Sequence, residues 1–181
     1  IDAGLAVAGK SGGVYDKYRN RLMLPVIDVR GDVIGFTSRV MDDSTPKYLN
    51  TPETAIFKKR SILYGLNYAK NTRRPNFILV EGNIDVITLH QAGFDNTVAT
   101  MGTALTEDHV RMLERYTKEL VLCYDNDAAG EDATQRSIAL LKNSEVAVKV
   151  LRLPNKRLPD GTQGKQDADD YIKNFGPGAF E

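Results

Sequence analysis

The apolar positions of this chain change rhythm near residue 75. Upstream, Leu22–Val29 (LMLPVIDV) is an apolar, β-prone run. Arg30-Gly31-Asp32 is a turn signal, and Val33–Val40 follows with branched residues and Phe36. Together they predict a β-hairpin. The stretch 41–54, rich in Asp, Ser, Thr and Pro, predicts a loop. Ile62, Leu63, Leu66 and Tyr68 fall near helical spacing, so Ser61–Lys70 predicts a short helix, which Arg73-Arg74-Pro75-Asn76 ends. The boundary between residues 1–74 and 75–181 is placed there.

Downstream, apolar runs alternate with helical patterns. Strands are expected at Phe77–Val80, Thr97–Met101, Leu120–Tyr124 and Val146–Leu153. Helices are expected at Ile84–Gln91, Glu107–Tyr116 with Thr106 as N-cap, Ala129–Leu141 and Ala168–Asn174. Such alternation implies βαβ units and a mostly parallel sheet with right-handed crossovers. The fold class is therefore α/β: a parallel sheet flanked by helices, preceded by a smaller mixed α+β subdomain with a β-hairpin. No repeat or low-complexity tract interrupts it.

Charge sharpens the division. The net charge is zero over 181 residues, yet residues 1–74 hold thirteen Lys/Arg against seven Asp/Glu, and residues 75–181 hold eleven against seventeen. A basic half beside an acidic half suits a polyanion on one side and metal ions on the other. Two solvated faces of unequal charge remain the plainer alternative. No apolar run is long enough to cross a membrane. The start, Ile1-Asp2-Ala3-Gly4, carries neither a Met nor a signal sequence, which reads as a piece excised from a longer protein. One cysteine, Cys123, excludes an internal disulfide and a zinc ribbon within this piece, and suits a reducing cytoplasm.

Three groups of acids fall where an open α/β sheet presents ligands, beyond the carboxyl ends of its strands. Glu81 follows Phe77–Val80; Asp125 and Asp127 follow Leu120–Tyr124; Asp167 and Asp169 follow the last strand after a Pro/Gly-rich loop. Gathered carboxylates repel one another unless a cation shares them, and hard oxygen donors suit Mg²⁺ or Mn²⁺. Any one of these acids alone is better read as solvated or N-capping; the recurrence after three strands is what favours chemistry. Gly130 lets the next helix begin close to Asp125 and Asp127.

These residues also carry a resemblance. Val80-Glu81-Gly82-Asn83-Ile84-Asp85-Val86-Ile87 resembles the EGxxDVI motif of the TOPRIM domain of DnaG-type primases. Met101-Gly102-Thr103-Ala104-Leu105-Thr106, Asp125-Asn126-Asp127-Ala128-Ala129-Gly130 and Asp167-Ala168-Asp169-Asp170-Tyr171 resemble its later segments, with Asn126 where Gly is common and Ala168 where Pro is frequent. Upstream, Tyr18–Pro25, Pro46–Thr54 and the segments Ile56–Lys59 and Leu63–Leu66 look like primase sequence too. EGxxD alone is shared with topoisomerases and some nucleases; PKYLNTPET is what points to primase.

The resemblance implies DNA-templated synthesis of short RNA primers from ribonucleoside triphosphates. It implies Glu81, Asp85, Asp125, Asp127, Asp167 and Asp169 as metal ligands, with Glu81, Asp125 and Asp127 catalytic. Arg39, Lys47, Lys59, Arg21 and Asn50 are implied as contacts for nucleotide or single-stranded DNA template. A zinc-binding domain and a region binding the replicative helicase are implied outside this sequence. Basic groups can track phosphates and the rings of Tyr18, Tyr48, Phe57 and Tyr64 can stack bases, though Phe57 and Tyr64 suit a core equally well. Phosphodiester cleavage of the nuclease or topoisomerase kind, and a nucleotide-binding regulatory module, stay open at this point.

Other signals carry less. Gly4–Ser11 matches GxxxxGK[ST] letter for letter, but only three residues precede it and Gly12-Gly13 follow, so a turn is expected rather than a phosphate-binding loop. Cys123 lies inside an apolar strand and reads as core; His90 and His109 lack a second histidine at ligand spacing and read as structural or surface.

Overall fold

The computed structural model of the chain describes residues 1, 4–157 and 163–181. They fall into two units, residues 1–58 and 59–181.

The first unit is antiparallel throughout. Ala6–Ala8 (β1) pairs with Val14–Asp16 (β2) across a turn in which Gly12 and Gly13 both have positive φ. The Gly4–Ser11 match therefore lies on a hairpin, with no helix to hold a phosphate. Arg21–Ile27 (β3), Val33–Val40 (β4) and Tyr48–Asn50 (β5) form a three-stranded sheet in that order. The Asp28 carboxylate builds the β3–β4 turn by accepting the backbone N–H groups of Arg30 (2.8 Å) and Asp32 (3.0 Å), and Gly31 supplies the positive φ between them. Phe57 is fully buried against Gly35, where an added Cβ would stand 2.7 Å from its ring. The segment 41–54, expected as a loop, contains β5. Its short, polar sequence lacks a strand's alternation, and pairing with β4 alone makes it one.

In the second unit a five-stranded sheet has the order β10-β9-β7-β8-β6. Its strands are Leu63–Tyr64 (β6), Phe77–Val80 (β7), Thr97–Thr100 (β8), Glu119–Leu122 (β9) and Ala147–Val150 (β10). All neighbours are parallel except β6, which runs against β8 with Leu63 opposite Thr100. The intervening helices are Leu66–Ala69 (α1), Asn83–Gln91 (α2), Glu107–Leu113 (α3) and Ala128–Leu141 (α4). Beyond β10 come the paired pieces Lys156–Arg157 (β11) and Gln163–Gly164 (β12), then Ala168–Phe175 (α5) and Pro177–Phe180 (α6). The expected α/β architecture with a mostly parallel sheet is the one observed.

Every residue of β7 and β8 is buried, as a strand covered on both faces requires. Ile78 and Val80 pack with Val86, Leu89, Phe94, Ala168 and Phe180; Phe77 and Leu79 alternate to the opposite face. Cys123 belongs to this core, and burial pushes its thiol up to about 12. Among the described residues no helix is long and apolar enough to cross a membrane.

The helix expected over Ser61–Lys70 is mostly absent. Lys59–Ser61 is a 3₁₀ turn, Leu63 and Tyr64 join the sheet, and only Leu66–Ala69 is helical. Gly65, at φ 84°, breaks the chain between strand and helix. Residues 59–74 consequently belong to the sheet-bearing unit, whereas the basic stretch expected as one subdomain extended to residue 74.

The start of α3 is fixed by a reciprocal cap. The Thr106 hydroxyl accepts the His109 backbone N–H (3.2 Å), and His109 Nδ1 accepts the Thr106 backbone N–H (3.2 Å). His109 Nε2, 3.0 Å from the Lys59 carbonyl, then carries the proton and donates it. The fully buried ring is satisfied only when neutral, and burial holds it below its ordinary 6.5. The unfolded chain takes up a proton that the folded chain refuses, so stability present above pH 6.5 is lost as pH falls through that value. Urea midpoints at pH 7 and pH 5.5 are expected to differ less in His109→Gln than in the unaltered protein; equal differences sink this account.

Candidate active site at the carboxyl edge of the sheet

The chain leaves β7 and β9 at the same edge of the sheet, so Glu81 and Asp125 meet. Glu81 Oε1 accepts the Asp125 backbone N–H at 3.1 Å. Burial raises the Glu81 pKa, and the Asp125 charge raises it further. Asp127 caps α4, its Oδ1 accepting the Gly130 N–H at 2.8 Å. That bond, followed by Lys165, holds its carboxyl below the usual range. Gly130 makes the approach possible: a Cβ there would lie 2.0 Å from the Asp125 carbonyl oxygen and 3.1 Å from Glu81 Oε1. Asn126 needs no left-handed backbone, since Asn20 is the non-glycine residue with positive φ among those described. Its side chain donates to the Leu153 carbonyl (3.2 Å) and to Asn155 Oδ1 (3.0 Å).

Lys165 is a member of this group that no sequence signal marked. Its ammonium bridges Asp125 and Asp127, 3.0 Å from the latter, and its pKa is raised, chiefly by the bond to Asp125.

Asp85, Asp167 and Asp169 are the remaining acids. Asp85, in the first turn of α2, is 7% exposed. Its two oxygens accept the backbone N–H groups of Gly82 (3.1 Å) and Asp169 (3.0 Å). Burial, reinforced by the charges of Asp167 and Asp125, pushes its pKa up to about 7. Asp167 caps α5 through the Asp170 N–H at 2.7 Å. Asp169 accepts the Thr88 hydroxyl at 2.6 Å and pairs with Lys173 at 2.6 Å.

The six acids are linked by charge, Asp125 acting on both Glu81 and Asp85. Among the described residues no three His, Cys, Asp or Glu side chains converge as a ready-made metal cage. The physical reason is that Asp127 and Asp167 are turned to their helix ends, while Asp169 and Asp85 are tied by hydrogen bonds. The donor set still suits a hard divalent ion. It is all carboxylate oxygen, it already holds one cationic group, and Mg²⁺ commonly takes one or two carboxylates and completes its shell with water and substrate phosphate.

Beside Glu81 opens a cavity of about 590 Å³, walled by Gly102–Leu105 on one side and by Ala129, Ala133 and Arg136 of α4 on the other. Tyr124 lies in its lining, with its hydroxyl 3.1 Å from Ser137 Oγ and its pKa pushed up to about 12 by burial.

The basic candidates divide by unit. In the first, Arg39 and Lys47 share a cavity of about 750 Å³ with Leu22, Asp42 and Asp43. Arg21 donates to the Pro46 carbonyl at 2.8 Å, and Asn50 lies on β5, its carbonyl accepting from Lys17 at 3.4 Å. Lys47 sits 5.9 Å from the Tyr48 ring centre, and Tyr18 bonds Thr51 through its hydroxyl at 3.2 Å. In the second unit, Lys59 belongs to the 3₁₀ turn before β6. Tyr64 there is largely buried and His90 Nε2 bonds the Thr97 carbonyl at 2.8 Å, while Phe57 is core of the first unit.

Known proteins resemble this chain in sequence and fold. Residues 78–172 match a family described as Toprim-like, and residues 1–70 match the N-terminal domain of the DNA primase catalytic core. The chain is 48% identical over 181 residues to a DNA primase of Clostridium acetobutylicum, covering 99% of this chain and 29% of that protein. It is 44% identical over 183 residues to the DNA primase of Escherichia coli K12, covering all of this chain and 30% of that protein. A solved DnaG primase catalytic domain bound to single-stranded DNA superposes with a TM-score of 0.87 at 39% identity, covering 99% of this chain and 57% of that one. The chain therefore spans about three-tenths of the length of the curated relatives it matches. With both family models matched in order along it and the same fold in a solved relative, this chain belongs to the DnaG-type primase family, of which it carries the Toprim-bearing part of the catalytic core.

Proposed function

We propose that the chain is part of a catalytic core that joins ribonucleoside triphosphates into short primers on a single-stranded DNA template. The observation that carries this reading is the meeting of Glu81, Asp125 and Asp127 at one sheet edge, a placement that only Gly130 permits. The relative solved with single-stranded DNA supports the choice of template.

Glu81, Asp125 and Asp127, with Asp85, Asp167 and Asp169, are the carboxylates that would hold Mg²⁺ or Mn²⁺. Held there, such an ion would supply charge neutralisation for the triphosphate and would favour loss of the proton from the attacking 3′-hydroxyl. The protein's own part is positioning, because phosphoryl transfer needs in-line placement and charge stabilisation more than covalent help. Glu81 would keep Oε1 on the Asp125 N–H and offer Oε2 to the ion; service as a general base is the alternative to that role, not an addition to it. Arg39, Lys47, Arg21, Asn50 and Lys59 supply cationic and amide contacts for nucleotide or template phosphates. We infer helicase-binding and zinc-binding parts in the remaining length of such a protein, and this chain alone is expected to bind metal and nucleotide but to prime poorly.

The experiment is Mn²⁺ binding followed by electron paramagnetic resonance, with and without a ribonucleoside triphosphate, in the chain and in Glu81→Gln. Binding that tightens with triphosphate and is lost in Glu81→Gln is the expected result. Metal-dependent DNA degradation without triphosphates points instead to nuclease chemistry, and nucleotide binding indifferent to Glu81 points to a regulatory module.

A further inference from the structure

Lys59 reaches the sheet edge by an unusual route. Strand β6 is antiparallel to β8, with Leu63 opposite Thr100 at the end of β8. The chain therefore enters β6 at the carboxyl edge, the edge where Glu81 and Asp125 lie. The 3₁₀ turn Lys59–Ser61 stands immediately before that entry.

What holds this turn is the first turn of α3. His109 Nε2–H donates to the Lys59 carbonyl at 3.0 Å, and the Thr106 hydroxyl donates to the Arg60 carbonyl at 2.6 Å. Asp108 adds a 3.6 Å pair with the exposed Arg60 guanidinium, which contributes little by itself. Thr106 in turn ends the Gly102–Leu105 loop that walls the cavity beside Glu81. A single buried imidazole thus joins the carbonyl of a lysine from one segment to the loop of another. It uses both nitrogens to do so, Nδ1 accepting from Thr106 N–H and Nε2–H donating to Lys59.

We propose that His109 is a positioning residue for Lys59, fixing the lysine's backbone at the carboxyl edge so that its ammonium can meet phosphate charge there. The inference rests on the reading of Lys59 as a nucleotide or template contact. The half-buried Lys59 carbonyl, left without its donor, is free to turn toward water, and the 3₁₀ turn loses the bond that fixes it. In a site where placement governs rate, a displacement of about 1 Å can cost on the order of a hundredfold. Glutamine is the conservative replacement, since its amide can donate to one carbonyl and accept one N–H. Lysine backbone placement, rather than charge, is what the histidine supplies, so its loss matters only while the lysine is there.

The test is a double-mutant cycle in the full-length primase carrying this chain: His109→Ala, His109→Gln, Lys59→Ala and the His109→Ala/Lys59→Ala pair. KM for ribonucleoside triphosphate and kcat for primer synthesis on single-stranded DNA are measured below the melting temperature of all four. Lys59→Ala is expected to lower kcat/KM at least about tenfold, and His109→Ala to do likewise. His109→Ala should cost nothing further in the Lys59→Ala background, and His109→Gln should recover most of the loss. The same fold loss from His109→Ala in both backgrounds overturns the proposal, because the histidine then acts through the fold at large. A harmful Lys59→Ala beside a harmless His109→Ala overturns it while leaving the reading of Lys59 intact. A harmless Lys59→Ala removes that reading and the inference together. Should His109→Ala fail to fold, His109→Asn, whose shorter amide can accept the Thr106 N–H but cannot also reach the Lys59 carbonyl, takes its place in the cycle with the same expected outcomes.

Discussion

Asp125→Asn is expected to reduce primer synthesis by the full-length enzyme about a thousandfold or more, with the melting temperature unchanged or raised. The amide keeps the side chain's shape and leaves the Asp125 backbone N–H on Glu81 Oε1. What it removes is one negative charge from a set that raises one another's pKa: Asp125 contributes to the upward shifts of both Glu81 and Asp85. Relief of that repulsion offsets the lost ion pair with Lys165, whose ammonium is half exposed and keeps Asp127 at 3.0 Å. Stored repulsion that function requires and folding does not is a common signature of an active site. Thermal melting and primer synthesis on one preparation check the claim. A variant that loses activity only in proportion to a lowered melting temperature would show Asp125 to be structural.

Gly130→Ala carries the second large effect, and its sign runs against helix propensity. In an open helix the change stabilises by up to about 1 kcal/mol. At this position the added methyl would stand 2.0 Å from the Asp125 carbonyl oxygen. The obstacle is backbone, so no side chain can swing aside. Either α4 retreats or the Asp125–Asp127 turn opens, and each breaks the 2.8 Å cap from Gly130 N–H to Asp127. Overpacking of this kind costs about 1–3 kcal/mol, and displacement of Asp125 from Glu81 is expected to cost about a hundredfold in rate as well. Denaturant midpoints and single-turnover primer synthesis report the two losses separately. A Gly130→Ala protein more stable than its parent would rule out the close approach.

Much of this arrangement is legible in the amino-acid sequence, for specific reasons. Phe77–Val80 is apolar at every position because both its faces are covered, so strand and burial were read together. Once strands and helices alternate, topology alone sends Glu81 and Asp125 to one edge. The short strands β5 and β6 were missed for opposite reasons. Tyr48–Asn50 is an edge piece without apolar alternation, and Leu63–Tyr64 sits in a pattern whose helical spacing Gly65 interrupts. That Asp127 and Asp167 turn to their helix ends was not legible, because it follows from which carboxylates cap α4 and α5. Lys165 was invisible for the same kind of reason: its partners lie about forty residues back in the chain, beyond any local spacing rule.

The antiparallel strand β6 bears on how such proteins can be dissected. The Toprim-like match begins at residue 78, but the fifth strand of its sheet and the donors' partners at Lys59 and Arg60 come from upstream. A piece trimmed to the family boundary would leave β8, buried along its whole length, as a bare margin. It would present unpaired amides and carbonyls to any neighbouring chain. Evolution can therefore pass this sheet between proteins only if something else comes along to sew its hem.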